Sequence, residues 1–330
     1  MSILMISLDK EILDPQSSVA NRMMSYGNAE ELFILIPDRK KTAFDLSGRV
    51  HVQSTGGGKA LQFFSLLRIG AELMRKNKIK ELSAQDPFFT GLAGYLLKKK
   101  YAVPLEVQLH GDFFDSDYYK KNYFLRYILA RFIVKRADRL RVVGERIKQS
   151  LSKLGLDENK VKIRPIEQTV NLAKIYGRAA EDSDLKKTFG DYEKIFVWAG
   201  RMEPIKNLFF LLDVFFEIVK HNPKYGLFLV GKGSQKQALE NRVEALDLKR
   251  HVRFLGWQYS PAVYLRNADA VLFPSLAEGY GLVPMEAHAL GTPVIMSDVG
   301  VAHYELKPSE TVRIVPVNDK NAFIKAILSL

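Results

Sequence analysis

The 330-residue sequence contains no cysteine, which excludes disulfides, thiolate catalysis and cysteine-ligated zinc, and fits a reducing compartment. It also lacks any run of about 18 uncharged apolar residues. The two most apolar stretches are broken by Arg126 and Arg131, and by Asp213 and Glu217, so no spanning helix is expected. The opening run from Met1 to Leu8 has no basic leader and is too short for a signal core. It reads as a first strand, and a cytoplasmic protein is expected. Acidic residues are outnumbered chiefly in the first half, by an excess of Lys and Arg: residues 1–170 carry a net charge of +10 and residues 171–330 only +2, of +12 overall. A one-sided basic surface suits an anionic partner such as a phospholipid face, a polyanionic acceptor or nucleic acid; ordinary solvated lysines are the plainer reading.

Hydrophobic residues make up 47% and charged residues 26%, the balance of a globular chain, and the length suits two domains. Short β-branched runs alternate with longer amphipathic ones, the rhythm of βαβ units around parallel sheets. Strands are expected at 3–8, 32–36, 49–53, 79–84, 105–109 and 139–143. Helices are expected near 17–26, 59–76, 88–100, 120–136 and 144–154. Periodicity is lost between Pro165 and Gly190, where the domain linker is placed. A second alternation follows, with strands at 195–199, 226–230, 251–254, 270–273, 293–296 and 311–315, and helices near 206–220, 234–246, 261–267, 282–290 and 319–329. Ligand crevices in open parallel sheets lie off the carboxyl ends of the strands, so the loops after strands are where chemistry is sought.

After the strand at 270–273 the chain runs through Glu278, Gly279, Tyr280, Gly281, Leu282, Val283 and Pro284 to Glu286. The glycines let a backbone approach a ligand, and Pro284 suits a first helical turn. Free N–H groups and the positive dipole end of that helix suit a diphosphate. Glu286, about 6 Å further along at 1.5 Å per residue, is placed to accept the vicinal hydroxyls of a ribose. Glu278 on the loop is placed to grip a sugar hydroxyl or face positive charge at an anomeric carbon. Strand 195–199 ends in Gly200, Arg201, Met202, Glu203, Pro204, Ile205, Lys206 and Asn207, which puts two cations in another such loop. Strand 226–230 ends in a tight turn with Gly231 and Gly233.

Together with the stretch from His251 to Gly256, these residues resemble the donor half of retaining glycosyltransferases of the GT-B fold, specifically glycosyltransferase family 4. In that family two glutamates eight residues apart flank a Gly-aromatic-Gly turn, as Glu278 and Glu286 do here. The likeness covers residues 195–300 closely. It implies an α/β fold of two Rossmann-like domains with parallel sheets facing a central cleft. It implies that Arg201 and Lys206 bind the diphosphate, Glu286 the ribose, and Glu278 with the 279–283 backbone the donor sugar and phosphates. A leaving diphosphate gains negative charge as the glycosidic bond breaks, so fixed cations aimed at it take the place of a metal. No metal and no cofactor beyond the nucleotide-sugar substrate are expected.

In the first half the likeness is weaker. His110, just past a strand, stands where relatives often set a histidine against the donor sugar; a structural role is the alternative. Ser17, Ser18 and Arg22 occupy the first post-strand loop, where acceptor contacts are expected, although the paired glycine of many relatives is absent. The proline at 165 lacks its usual companion, and Gly300 starts a segment that matches only partly. Many relatives end in a helix that crosses back, which this sequence is expected to stop short of.

Asp115-Ser116-Asp117 has the DxD form of metal-binding GT-A enzymes, but it lies in the half without nucleotide motifs and reads as solvated turn carboxylates. Thr55 to Ala60 lacks the spacing of a phosphate loop and reads as an entry to a helix. Segment 118–148 holds ten Lys or Arg residues against two acids, with Tyr118, Tyr119, Tyr123, Phe124 and Tyr127 at its front. Such a helix suits an anionic membrane; a core-facing helix with solvated charges is the preferred reading. Nucleic acid is set aside for want of a binding module. The expected activity is transfer of a sugar from a nucleotide donor held by residues 171–330 to a glycan, lipid-linked or small-molecule acceptor held by residues 1–170, with retention and without metal. A sugar-nucleotide epimerase of this fold and a non-catalytic glycan- or membrane-binding protein are the alternatives. The expected location is cytoplasmic, with the inner membrane face as a peripheral site.

Overall fold

In a computed structural model, residues 2–164 and 192–330 are described. The linker expected at 165–190 lies outside the described residues. The chain divides into two compact units, Met1–Val143 with Ile147–Arg164, and Gly144–Arg146 with Pro165–Leu330.

The first unit holds an eight-stranded sheet in the order β3-β4-β2-β1-β5-β6-β7-β8. Its elements in chain order are β1 (Ser2–Ile6), α1 (Ser18–Gly27), β2 (Glu31–Ile36), β3 (Ala43–Ser47), β4 (Val50–Ser54), α2 (Lys59–Lys76), β5 (Glu81–Ala84) and α3 (Phe89–Tyr101). They continue with β6 (Leu105–Leu109), α4 (Asp117–Asn122), α5 (Phe124–Arg136), β7 (Arg139–Val142), α6 (Glu145–Ser152) and β8 (Val161–Ile163). Side chains alternate across each strand, so Ile3 and Met5 of β1 pack with Met23 of α1, while Leu4 lies near Gly70 of α2 on the other face.

Two strands were not legible in the sequence. β3 pairs antiparallel with β4 and carries Asp45 in its middle, and β8 is only three residues long. Neither has an apolar run to announce it. The single helix expected at 120–136 is two, because Tyr123 (φ −139°, ψ 43°) leaves helical geometry between α4 and α5.

The second unit is a six-stranded, all-parallel sheet, β11-β10-β9-β12-β13-β14. It comprises β9 (Lys194–Arg201), α7 (Leu208–His221), β10 (Tyr225–Lys232), α8 (Lys236–Ala245), β11 (Val252–Gly256) and α9 (Ala262–Arg266). β12 (Ala270–Phe273), α10 (Leu282–Ala289), β13 (Val294–Ser297), β14 (Val312–Val315) and α11 (Lys320–Leu328) complete it. Both faces of β9 are buried: Phe196 and Trp198 join a core with α7 and α11, and Ile195, Val197 and Ala199 join another with α10. A strand covered on both sides reads as one continuous apolar run, which is why β9 and β10 were evident in the sequence.

Candidate functional site

The carboxyl ends of β9, β10 and β12 carry the motif residues of the second unit. Beyond β9 the chain makes a short 3₁₀ turn, Pro204–Lys206, and Asn207 then adopts the left-handed conformation (φ 59°) that opens α7. This loop is tied to the one after β12, since Leu276 N–H donates to the Ile205 carbonyl at 2.8 Å and Asn207 Nδ2 donates to the Pro274 carbonyl at 3.2 Å. Between these ties the Lys206 ammonium forms an ion pair with the Glu278 carboxylate. Both side chains are largely covered, and the ammonium also lies 5.6 Å from the centre of the Phe273 ring.

Close backbone contact explains the glycines of the β10 turn. A Cβ on Gly231 would stand 1.8 Å from the Gly200 carbonyl oxygen, and one on Gly233 would stand 2.4 Å from that of Met202. No side chain fits. The turn is further clasped by Glu203, whose carboxylate accepts from Ser234 N–H at 3.0 Å and from Ser234 Oγ at 2.6 Å. These bonds hold the Glu203 carboxyl below the usual glutamate range. Arg201 and Lys232 are register partners at the ends of the adjacent strands, and both are exposed, so two cations project from the same sheet edge. Beside them Lys232 Nζ lies 5.8 Å from the centre of the exposed Trp257 ring, which meets Tyr259 edge-on at 6.1 Å. A bare indole face beside cations is a stacking surface for a flat ring.

After β12, Gly281 (φ 99°) is the N-cap of α10. Being glycine it supplies no side-chain cap, and no side chain among the described residues takes up the first-turn N–H groups. Gly279 and Tyr280 lie in the half-buried approach, and Leu282 and Val283 begin the helix. Val301 N–H donates to the Tyr280 carbonyl at 2.7 Å, which fixes this loop against the segment after β13. One turn into α10, Glu286 is half-buried and its carboxylate has no hydrogen-bond or ion-pair partner among the described residues. Burial raises its pKa. A half-desolvated carboxylate with nothing to accept from is suited to a ligand's hydroxyl groups.

In the first unit His110 follows β6. Its surface remains open, yet its pKa is lowered to about 4, first by desolvation and then by the charges of Arg141 and Arg22. Its Nε2 lies 3.2 Å from Gln108 Oε1, an atom that Arg141 also contacts, while Gln108 Nε2 donates to Ser83 Oγ at 2.9 Å. Arg141, the register partner of Gln108 on β7, has its own pKa lowered by desolvation. This polar row was not anticipated, because Gln108 and Arg141 carry no motif. Ser17 serves the local structure, capping α1 by accepting from Ala20 N–H at 3.0 Å and donating to the Glu11 carbonyl at 2.6 Å. Arg22 is exposed on α1. Asp115 of the DxD segment pairs with Lys153 at 2.5 Å.

The structure therefore brings Lys206 and Glu278 into contact and sets Arg201, Gly231, Gly233, the 279–283 backbone and Glu286 along the same edge of one sheet. Glu203, Lys232 and Trp257 were missed. Only Glu203 had a signal, as an acid between the two cations.

Residues 180–330 match the family described as glycosyl transferases group 1. The chain is 27% identical over 247 residues to UDP-Gal:alpha-D-GlcNAc-diphosphoundecaprenol alpha-1,3-galactosyltransferase of Escherichia coli, covering 72% of this chain and 63% of that protein. It is 33% identical over 141 residues to phosphatidyl-myo-inositol mannosyltransferase of Mycobacterium leprae, covering 42% and 37% respectively. The chain thus spans less than two thirds of these relatives. Among solved structures, sucrose-phosphate synthase from Thermosynechococcus elongatus is similar with a TM-score of 0.79 at 21% identity, covering 100% of this chain and 89% of that one. Anabaena HepE in complex with UDP is similar with a TM-score of 0.74 at 15% identity and the same coverages. The fold is GT-B.

Proposed function

We propose that this chain, whose residues 180–330 match the family described as glycosyl transferases group 1, transfers a sugar from a nucleotide-sugar donor bound by its second unit to an acceptor hydroxyl bound by its first. The observation that carries this reading is the contact between Lys206 and Glu278 beside an uncapped helix start and an unpartnered Glu286. The α10 N–H groups and the cations Arg201 and Lys206 receive the diphosphate, Glu286 accepts the ribose hydroxyls, and Glu278 faces the sugar.

As the glycosidic bond breaks, the electron pair passes to the diphosphate oxygen, and the two cations stabilise that charge. This supports transfer with no metal and no cofactor beyond the donor. The departing oxygen takes the proton of the acceptor hydroxyl that attacks from the same face, so the anomeric configuration is retained. Ordering of the loops over the donor excludes water that would otherwise hydrolyse it.

A lipid-linked acceptor is the reading favoured for the first unit, and with it a place at the cytoplasmic face of a membrane. Support comes from the net charge of +10 in residues 1–170 and from relatives whose names include diphosphoundecaprenol and phosphatidyl-myo-inositol. Among the described residues no helix is long and apolar enough to cross a membrane.

A thermal-shift panel with UDP, GDP, ADP and CMP sugars tests donor binding, since a ligand at 100 times its dissociation constant stabilises by about 2.7 kcal/mol. A shift with one base, followed by release of that nucleotide only when acceptor is present, is the expected result. Absence of a shift with every donor overturns the proposal, and isomerised donor in the absence of acceptor identifies an epimerase instead.

A further inference from the structure

The first unit leaves large apolar side chains uncovered in one region. On α5, Ala130, Ile133 and Val134 are buried against the unit, yet Leu125 is 80% exposed and Phe124 62%, with Ile128 and Phe132 exposed on the same arc of the helix. On α2, Phe64 is 69% exposed and Leu61 64%. The expectation of a core-facing helix with only its charges in solvent is therefore half met: α5 has a second apolar face. Exposed apolar residues scattered singly need no explanation, but grouped ones mark an interaction surface.

Ring contacts join the two helices. Phe64 meets Phe63 at 6.2 Å, and Phe63 meets Phe89 at 5.4 Å. The neighbouring Phe88 meets Phe113 at 4.9 Å, Phe113 meets Tyr119 at 4.8 Å, and Tyr119 meets Tyr123 at 6.1 Å. The aromatic series runs from the start of α2, past the start of α3 and through α4, to the start of α5; α2 and α3 follow strands, and α5 follows α4.

Its charge is mostly positive, although the aromatic series passes the exposed carboxylates Asp115 and Asp117 just before Tyr119. α5 contains Arg126, Arg131, Lys135 and Arg136 and no acid, and all four are exposed. Arg136 lies 3.7 Å from the centre of the Phe132 ring and Arg126 5.3 Å from that of Tyr123, so the guanidinium groups sit among the apolar side chains. Lys59 and Arg68 flank Leu61 and Phe64 on α2 and are exposed. A second protein of ordinary surface would have to supply an unusual density of carboxylates to meet this face. An anionic lipid surface meets it directly, with acyl boundary for the apolar side chains, headgroup phosphates for the cations and the interfacial zone for the tyrosines.

We infer that the exposed face formed by the starts of α2 and α5, with Leu61, Phe64, Phe124, Leu125, Ile128 and Phe132 among arginines and lysines, docks on an anionic phospholipid bilayer. The inference deepens the lipid-linked reading of the acceptor and rests on it for its purpose, because an enzyme that takes such an acceptor must reach the headgroup plane. The strand ends next to the docked helices, with His110 and the Gln108–Arg141 row, then face the acceptor's head.

Flotation of the full chain with phosphatidylglycerol–phosphatidylcholine vesicles, against pure phosphatidylcholine vesicles, tests the inference. Partition is expected to be at least about tenfold greater on the anionic vesicles and to weaken with salt. Two double variants, Phe124→Ser with Leu125→Ser and Arg131→Glu with Lys135→Glu, are each expected to lower it about tenfold. Their nucleotide-sugar thermal shift should be unchanged, which shows that they fold. Equal partition on both vesicles, or variants that float like the parent, overturns the inference while a retained donor shift leaves the transferase reading intact. A concentration-dependent dimer abolished by the Phe124 and Leu125 changes, without vesicle binding, also overturns it. Vesicle binding with no response to any donor supports the docking face and overturns the transferase reading alone.

Discussion

Lys206 and Glu278 are 72 residues apart in sequence and form an ion pair. They meet because β9 and β12 are adjacent parallel strands, so the loops that follow them leave the same edge of the sheet. Each side chain neutralises the other, and under the proposed function a diphosphate or sugar hydroxyl would take the place of one partner.

Removing one member of this pair leaves the other covered and uncompensated. Lys206→Met or Glu278→Gln alone is expected to cost about 1–3 kcal/mol of stability, less than for a fully buried pair, and the double variant less than the sum. Denaturant midpoints of the four proteins in the cycle measure the coupling, and additive effects would show that the pair contributes nothing. Both single variants are expected to lose transfer.

Arg201 is exposed at a strand end and packs against no core, so Arg201→Ala should leave the melting temperature unchanged. Turnover is expected to fall by roughly a hundredfold, the scale of one lost electrostatic contact to a developing charge. Donor affinity should change much less, and steady-state kinetics separate the two effects.

Glu286 carries the cost of half-burial without a partner. Glu286→Gln is expected to raise the melting temperature of the free protein by about 1–3 °C and to weaken nucleotide binding about tenfold. The sign follows from the raised pKa: the folded protein keeps this proton to higher pH than the unfolded chain does, so the group's contribution to stability declines as pH rises above the ordinary glutamate value. Acidification should weaken nucleotide binding in the parent at a higher pH than an unperturbed glutamate would, and the glutamine variant should lose that limb. Calorimetric titration between pH 4.5 and 7, taken as about the useful range, checks both.

His110 should stay neutral through the physiological range. With its pKa lowered to about 4, one of the six histidines is expected to show no NMR titration step near the ordinary value of about 6.5. Because the unfolded chain binds this proton first on acidification, the group lowers stability as pH falls from about 6.5 towards 4. A midpoint near 6.5 that disappears in His110→Gln would refute the assignment.

Gly231→Ala should unfold or strongly destabilise the second unit, because its Cβ would overlap the Gly200 carbonyl oxygen and both groups belong to paired strands. The expected loss exceeds the roughly 1–3 kcal/mol typical of a strained backbone. Gly48→Ala, with nothing within 4 Å of the added methyl, is the control and should be neutral or stabilising by up to about 1 kcal/mol. Thermal melts compare the two.

The sequence by itself determined the alternation of strands and helices wherever strands are buried on both faces, since β9, β10 and β12 have no charged positions between their ends to blur them. It also showed the glycine turns and paired acids that lie at one edge of the second unit's sheet, because these are local patterns. It did not reveal β3 and β8, whose pairing with a neighbour rather than their own apolar content makes them strands. Tertiary structure alone decided that Lys206 neutralises Glu278, that Glu203 clasps the Ser234 turn, and that Arg141 shares Gln108 with His110. Each of these depends on which strands lie side by side. The second apolar face of α5 belongs to the same class: a single helix shows how many apolar residues it has, and only packing shows which of them stay in water.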